Sequence, residues 1–446
     1  MNDWLEKDLA CIWHPYTQMS ALRDNPPLFI TRAEGLKLYD DTGNWYYDTI
    51  SSWWCNVHGH GHPRLREAVS RQMAELDHTL FGAITHRPAV ELAARLVDIT
   101  PSSLTRVFYS DNGSTANEVA LKMSVQYWRN TGRPEKCRFV SLDRGFHGDT
   151  VGCMSVGGVN LFRCAFGPLL FPSYQAPAPY CYRCPAGLDC AACGAACLTG
   201  LEKVLAEHAG ELAGIIMEPL LLGAGGMIVY PPAWLAGAAR LARQYGIHLI
   251  LDEIATGFGR AGTMFACEQA GVSPDFLCIS KGLTGGLLPL AATLTTDDVY
   301  DAFLGPSGGT KTFYHGHTFT ANPIGCALAL ASLELFREDR LLERVATTAP
   351  LLREGMARFA NLPHVGDVRC LGMVGALELV RDTTTREPLP PGDPLLDRTC
   401  AEGRRHNLLL RPIANVIYLF LPQATTPEEL ADILARLQST LEQVLV

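Results

Sequence analysis

No cluster of lysines or arginines runs along this chain. Its 37 basic residues are scattered among 46 acidic ones, for a formal net charge of −9. That leaves no basic stripe to track a phosphodiester backbone and excludes nucleic acid as the expected partner. The opening segment MNDWLEKDLA has no apolar core of a signal peptide. Long apolar runs are interrupted as well: LAGIIMEPLLLGAGGMIVY carries Glu218, Pro219 and four glycines, so it is no lipid-spanning helix. Neither an internal repeat nor a low-complexity tract stands out. These absences predict a soluble protein of the cytoplasm, working on small molecules and not on a membrane.

What is present is an ordinary globular composition, 48% hydrophobic and 19% charged over 446 residues, enough for two or three domains. The 41 glycines suit many tight βα turns. Of the 15 cysteines, ten stand singly, often inside apolar runs such as FLCIS (Cys278) and IGCALAL (Cys326); they read as small buried hydrophobes with reduced thiols. Short apolar strands at 106–110, 138–142, 214–218, 247–252 and 275–280 alternate with helical patterns. After Asn112, Ala116, Val119, Ala120, Met123 and Tyr127 form one apolar helix face. Residues 233–244 and 323–337 read as helices too. This is the signature of an α/β domain with a mostly parallel sheet between helices.

Beyond about residue 335 the texture changes to a smaller α+β domain. GALELV (375–380), NLLLRP and NVIYLFLP read as strands, with a closing helix from 427. Thr426, Pro427 and Glu429 spell a capping box with proline at the first helical position. KLYDDTGNWYYD reads as a hairpin turning around Thr42–Gly43, placed against the small domain. The expected organisation is therefore an N-terminal segment 1–60, a large domain 61–335 and a small domain 336–446.

The reactive residues terminate strands. Ser110, Glu218, Asp252 and the Ser280–Lys281 pair each follow an apolar run, and open α/β sheets bind ligands beyond the carboxyl ends of their strands. SDNGSTANE places Gly113 and Ser114 at a helix N-terminus, where free N–H groups and the dipole suit a phosphate. It lacks the GxxxxGK[ST] pattern of a nucleotide P-loop; read alone, the segment is also an ordinary helix cap. A carboxylate at a buried strand end needs a cation, and a protonated pyridine nitrogen is such a partner for Asp252; a helix-capping Asp is the plainer alternative. Lys281, flanked by small residues, can form an imine with an aldehyde and then shuttle a proton.

LILDEIATGFGRAG followed by ISKG resembles the signature of class III pyridoxal-phosphate (PLP) dependent aminotransferases. IWHPYTQM, SSWWCNVHGHGHP, YHGHTFTANP and LLLRPIANVIYLFLP extend the likeness over nearly the whole chain. They resemble the branch of that family that aminates 8-amino-7-oxononanoate in biotin synthesis with S-adenosylmethionine. The resemblance implies PLP fold type I, pyridoxal 5'-phosphate as cofactor and a ping-pong cycle through pyridoxamine phosphate. It also implies a homodimer with shared active sites. Lys281 would be the Schiff-base lysine and proton shuttle, and Asp252 would pair with the ring nitrogen. Gly113 and Ser114 would hold the phosphate with Thr318 from the partner subunit, and Phe146 would stack on the ring. Tyr16, Trp53, Trp54, Gly316, Arg411 and Tyr418 would form the substrate site. Aromatics bury an aliphatic chain well and an arginine fork takes its carboxylate; for the Trp pair core or dimer packing, and for Arg411 a surface ion pair, stand as alternatives. Arg260 would order a loop or meet substrate, Asp149 would meet a donor amine, and Glu218 would orient loops.

Two positions depart from the family pattern. Phe146 stands where tyrosine is usual, which leaves the donor open between S-adenosylmethionine and lysine, and His317 stands where proline is more usual. A further feature is the cluster Cys181, Cys184, Cys190, Cys193 and Cys197, read as a surface insertion. Its two CxxC pairs are closer together than in usual zinc sites, so thiols in a compact loop and a four-thiolate zinc site both stay open. The rival activities are an ω-amino acid:pyruvate aminotransferase and a PLP aminomutase. A zinc-centred interaction module would leave the strand-end residues without a role.

Overall fold

The computed structural model describes residues 3–188, 193–390 and 392–445. A seven-stranded sheet organises the larger part of the chain. Its order is Arg106–Ser110, Ala291–Thr295, Phe276–Ile279, His248–Asp252, Leu212–Met217, Arg138–Leu142 and Tyr174–Ala176. All pairings are parallel except those of Ala291–Thr295, which runs antiparallel to both neighbours. Central strands such as Leu212–Met217 and His248–Asp252 are buried along their whole length, as continuous apolar runs in a sheet covered on both faces must be. Helices Gly113–Asn130, Pro232–Gln244 and Pro323–Glu338 lie among the covering elements. Asn112 caps the first by accepting from the Thr115 amide, and Asn322 caps the third.

The register fixes the functional edge. Asp252 lies beside Cys278, and Leu251 beside Met217. The residues that follow, Glu218, Asp252 and the Ser280–Lys281 pair, therefore leave the sheet along one carboxyl edge. Because Ala291–Thr295 is reversed, Arg106–Ser110 points the same way and Ser110 reaches that edge too.

Residues beyond the helix Pro323–Glu338 build a second core around strands Val365–Leu371, Val374–Asp382 and Val416–Phe420, covered by helices Leu341–Ala357 and Pro427–Leu445. The capping box forms, with Thr426 and Glu429 exchanging hydrogen bonds. The N-terminal hairpin, Lys37–Asp40 with Trp45–Tyr47, adds Leu36 and Tyr47 to this core. NLLLRP is not a strand. Tyr47 exchanges backbone bonds with Asn407 and Leu409, giving one isolated bridge at Leu408, and Pro412 has no N–H to continue a ladder. Of the single cysteines, Cys153, Cys267, Cys278 and Cys326 are buried as expected, but Cys11, Cys137 and Cys164 are exposed. Among the described residues no helix is long and apolar enough to cross a membrane.

Candidate functional site

A cavity of about 450 Å³ opens at the carboxyl edge of the large sheet. Lys281, Asp252, Glu218 and Ser280 line it from the strand ends, and Gly113, Ser114 and Phe146 from the loops between. Ser110 does not face it: the residue is buried behind, its hydroxyl without a partner. The backbone is drawn tight around this space. A Cβ on Gly113 would lie 2.9 Å from Ile254, and one on Gly148 would lie 2.3 Å from the Ser114 hydroxyl, so only glycine lets these loops close. Lys281 itself has φ +44°, a left-handed conformation costing a non-glycine residue about 1 kcal/mol or more. The tight turn after Ser280 holds it there.

Asp252 is the most bonded group in the cavity. Its Oδ2 accepts from Asn117 Nδ2 at 2.8 Å and from His147 Nδ1 at 2.9 Å, and its Oδ1 accepts from the Ile254 amide at 3.1 Å. Glu218 accepts from the amides of Phe146 and Gly223, both at 2.9 Å. Burial pushes the Glu218 carboxyl up to about 7. Burial likewise pushes the Lys281 amine below its ordinary range, against the pull of the Asp252 and Glu218 carboxylates. A buried amine with a lowered pKa is the form that attacks a carbonyl. Its Nζ sits 5.0 Å over the Trp54 ring.

A larger space, about 1390 Å³, adjoins the first and shares Trp54, Ser114, Phe146 and Lys281 with it. Tyr16, Trp53, Asp149 and Arg411 line it. Trp53, Tyr16, Phe162 and Phe146 make a chain of edge-to-face rings with centroids 5.1 to 5.9 Å apart. The Tyr16 hydroxyl donates to Asp149 at 2.6 Å; burial and that carboxylate raise its pKa. The Arg411 guanidinium lies 4.2 Å over Trp53. Ser51, Ser52, Trp53 and Trp54 all have positive φ, strain that is concentrated where the two indoles enter the wall.

Other expected site residues lie elsewhere. Tyr418 lines neither cavity: it is 1% exposed and accepts from the Trp54 indole at 3.1 Å, so it backs the wall instead of facing the space. Gly316 and Thr318 are exposed and line neither cavity of their own chain. Arg260 is buried against backbone carbonyls of Asn56 and Leu421, and burial pushes it down to about 9; it orders the loop and does not meet the cavity. His317 lies 3.4 Å from Asp111. In the cysteine segment, Cys181, Cys184, Cys193 and Cys197 are half-buried, and Cys190 lies outside the described residues. Among the described residues no group of three or more ligating side chains is placed to hold a metal.

Sequence reasoning missed Asn117, His147 and Phe162. Asn117 lies about 100° around the helix from Ala116, on a flank buried with Leu121, Ser124 and Trp128 that the periodicity did not mark. Phe162, in the single helical turn Asn160–Arg163, carried none.

The sequence profile of the family Aminotransferase class-III matches residues 19–441. The chain is 50% identical to an adenosylmethionine-8-amino-7-oxononanoate aminotransferase of Geobacter sulfurreducens, over 100% of this chain and 98% of the relative. The crystal structure of the enzyme of that name from Methanocaldococcus jannaschii superposes with a TM-score of 0.94 at 40% identity, covering 100% of both chains. An amine transaminase from an uncultivated Pseudomonas species, solved in its PLP-bound form, gives 0.93 at 35% identity, covering 97% of this chain and 99% of the other.

Proposed function

The chain belongs to the class-III aminotransferase family, and from that premise we propose that it is the PLP-dependent enzyme that aminates 8-amino-7-oxononanoate to 7,8-diaminononanoate in biotin synthesis, with S-adenosylmethionine as donor. The observation that carries this reading is the joining of two spaces through Lys281 and Trp54. One suits a phosphorylated pyridine; the other is an aromatic slot ending in an arginine.

The residues present fit pyridoxal phosphate. The glycine-tightened loop at the start of helix Gly113–Asn130 offers amides to a phosphate. Asp252 offers a fixed carboxylate to a ring N–H, and Phe146 a flat face. When bound, the cofactor supplies an aldehyde for an amine and a ring that withdraws electrons from the neighbouring C–H bond. The chain supplies the rest. Lys281 Nζ, lowered in basicity by burial, takes a proton from one carbon and returns it to another. Trp54 and Phe146 exclude water from that transfer. Trp53, Tyr16 and Phe162 cover the aliphatic part of a substrate, and Arg411 holds its carboxylate. Asp149, already bonded to Tyr16, presents negative charge to a donor amine.

The exposure of Gly316 and Thr318, next to exposed Tyr314 and Phe319, supports a homodimer in which this segment completes the partner's site. The division into segments 1–60, 61–335 and 336–446, and a cytoplasmic location, belong to the same proposal. The test offers 8-amino-7-oxononanoate and pyruvate as acceptors, with S-adenosylmethionine and lysine as donors. Turnover of the first acceptor with S-adenosylmethionine is expected. Turnover of pyruvate alone would assign another aminotransferase of this family.

A further inference from the structure

A local rule of helix capping is broken beside the phosphate-binding turn. Thr150 stands at the N-cap of the short helix Val151–Ser155, where a threonine hydroxyl ordinarily accepts from the amide two or three residues on. Its side chain makes no such bond. The Cys153 amide, which it would serve, donates instead to Glu118 Oε1 at 3.2 Å. Glu118 reaches in from helix Gly113–Asn130. Its carboxylate lies so close to Gly152 that a Cβ there would meet Oε2 at 2.2 Å. With the helix start served from another element, the Thr150 hydroxyl is released.

A count of protons shows where that hydroxyl goes. A carboxylate only accepts, and a threonine hydroxyl has one proton. Thr150 Oγ1 lies 2.6 Å from Glu118 Oε1 and 2.7 Å from Ser114 Oγ. Its proton goes to Glu118, so the Ser114 hydroxyl is the donor in the second bond. The Thr150 amide donates back to the same serine oxygen at 3.2 Å, and the Cys153 thiol donates to the Ser114 carbonyl at 3.1 Å. Ser114 and Glu118 are four residues apart, neighbours on one helix face, and Thr150 bridges them from the loop that carries Phe146. A serine hydroxyl otherwise turns among three rotamers; this one is held from behind by two groups of one residue. When its proton turns to a phosphate oxygen, the Thr150 amide still holds the serine oxygen.

We infer that Thr150 and Glu118 are positioning residues for the cofactor's phosphate: they brace the Ser114 hydroxyl against its own helix and thereby set how tightly the phosphate is held. The inference rests on the cofactor reading above and adds to it two residues that act through Ser114. A merely structural role, starting the helix Val151–Ser155, would bear on folding and not on the phosphate.

The test titrates the full-length protein, freed of cofactor, with pyridoxal phosphate and separately with pyridoxal, which has the same aldehyde and ring but no phosphate. The readout is the Kd of each, followed by the visible band of the bound aldehyde. Thr150→Val keeps the shape and removes the hydroxyl; Thr150→Ser keeps the hydroxyl. For Thr150→Val we expect the Kd for pyridoxal phosphate to rise about tenfold, the effect of one hydrogen bond, with the Kd for pyridoxal little changed. Thr150→Ser should restore tight binding. Glu118→Ala should weaken pyridoxal phosphate by a similar factor, and joining it to Thr150→Val should add little, since residues in one hydrogen-bonded chain are not additive. If Thr150→Val fails to fold, Thr150→Ala is read in its place with the same expectation. Wild-type affinity for pyridoxal phosphate in the valine or alanine variant overturns the inference. So does an equal loss for both ligands, a serine variant no better than valine, or fully additive losses in the double variant. Wild-type protein that develops no visible band with pyridoxal phosphate would overturn the cofactor reading itself, a different failure.

Discussion

Replacing Arg411 with alanine tests whether the aromatic slot reads a carboxylate. The guanidinium is half-buried, lines the larger cavity and lies 4.2 Å over the Trp53 ring. That stacking fixes the plane of the fork before substrate arrives. A bidentate guanidinium–carboxylate pair comprises two charge-assisted hydrogen bonds, each contributing about 1.5–3 kcal/mol. Taking about 3 kcal/mol for the pair, after discounting for solvent at the cavity mouth, kcat/KM for 8-amino-7-oxononanoate should fall about 100-fold. Loss of the stack on Trp53 would lower it for any substrate, so a second substrate is needed. The methyl ester of the acceptor keeps the chain and removes the charge. Wild-type protein should prefer the acid by about two orders of magnitude, and Arg411→Ala should show almost no preference. If the variant loses activity equally on acid and ester, Arg411 acts by holding Trp53 and the carboxylate argument fails.

Three further outcomes concern the scaffold. Burial pushes Glu253 up to about 7 from an ordinary value near 4.5. Its folded form therefore holds a proton that the unfolded chain has released, and stability is lost as pH rises from about 5 to 7. Between pH 5 and 8 the Glu253→Gln variant should lose about 2–3 kcal/mol less than wild type in denaturant titrations; parallel losses would refute this. Arg369 is buried, pairs with Glu378 at 2.7 Å and donates to the Gly226 carbonyl at 2.9 Å. Arg369→Met strands a buried carboxylate that Arg183 covers only in part, and should cost about 3 kcal/mol in the same titration. Thr426→Ala removes the cap accepting from the Glu429 amide and should cost about 1 kcal/mol, read as a lower thermal midpoint.

The residues that end strands were legible in the sequence because a buried parallel strand is a continuous apolar run, and a polar residue closing it stands out. Asp252 and Lys281 were found that way, as were the helix starts at Asn112 and Thr426, which carry local caps. The strand Ala291–Thr295 was not. AATLT is short, follows a glycine-rich turn, and runs antiparallel between Phe276–Ile279 and Arg106–Ser110, the second nearly 200 residues away in sequence. NLLLRP failed in the opposite direction: its leucines are buried like strand residues, but proline and the single bridge to the hairpin leave it irregular. The His147–Asp252–Asn117 cluster joins residues 30 to 135 positions apart, beyond any window of periodicity. Tyr418 entered the expected substrate site through the resemblance alone; in the structure it is buried and accepts from the Trp54 indole.

The central claim is that the Lys281 amine is the one that bonds the cofactor aldehyde. Purified protein loaded with pyridoxal phosphate can be reduced with borohydride, digested and mapped by mass. The pyridoxyl mass should sit on the peptide containing Lys281 and on no other, and Lys281→Ala protein should carry none. A stable adduct on a different lysine, or an undiminished one in the alanine variant, would contradict the account.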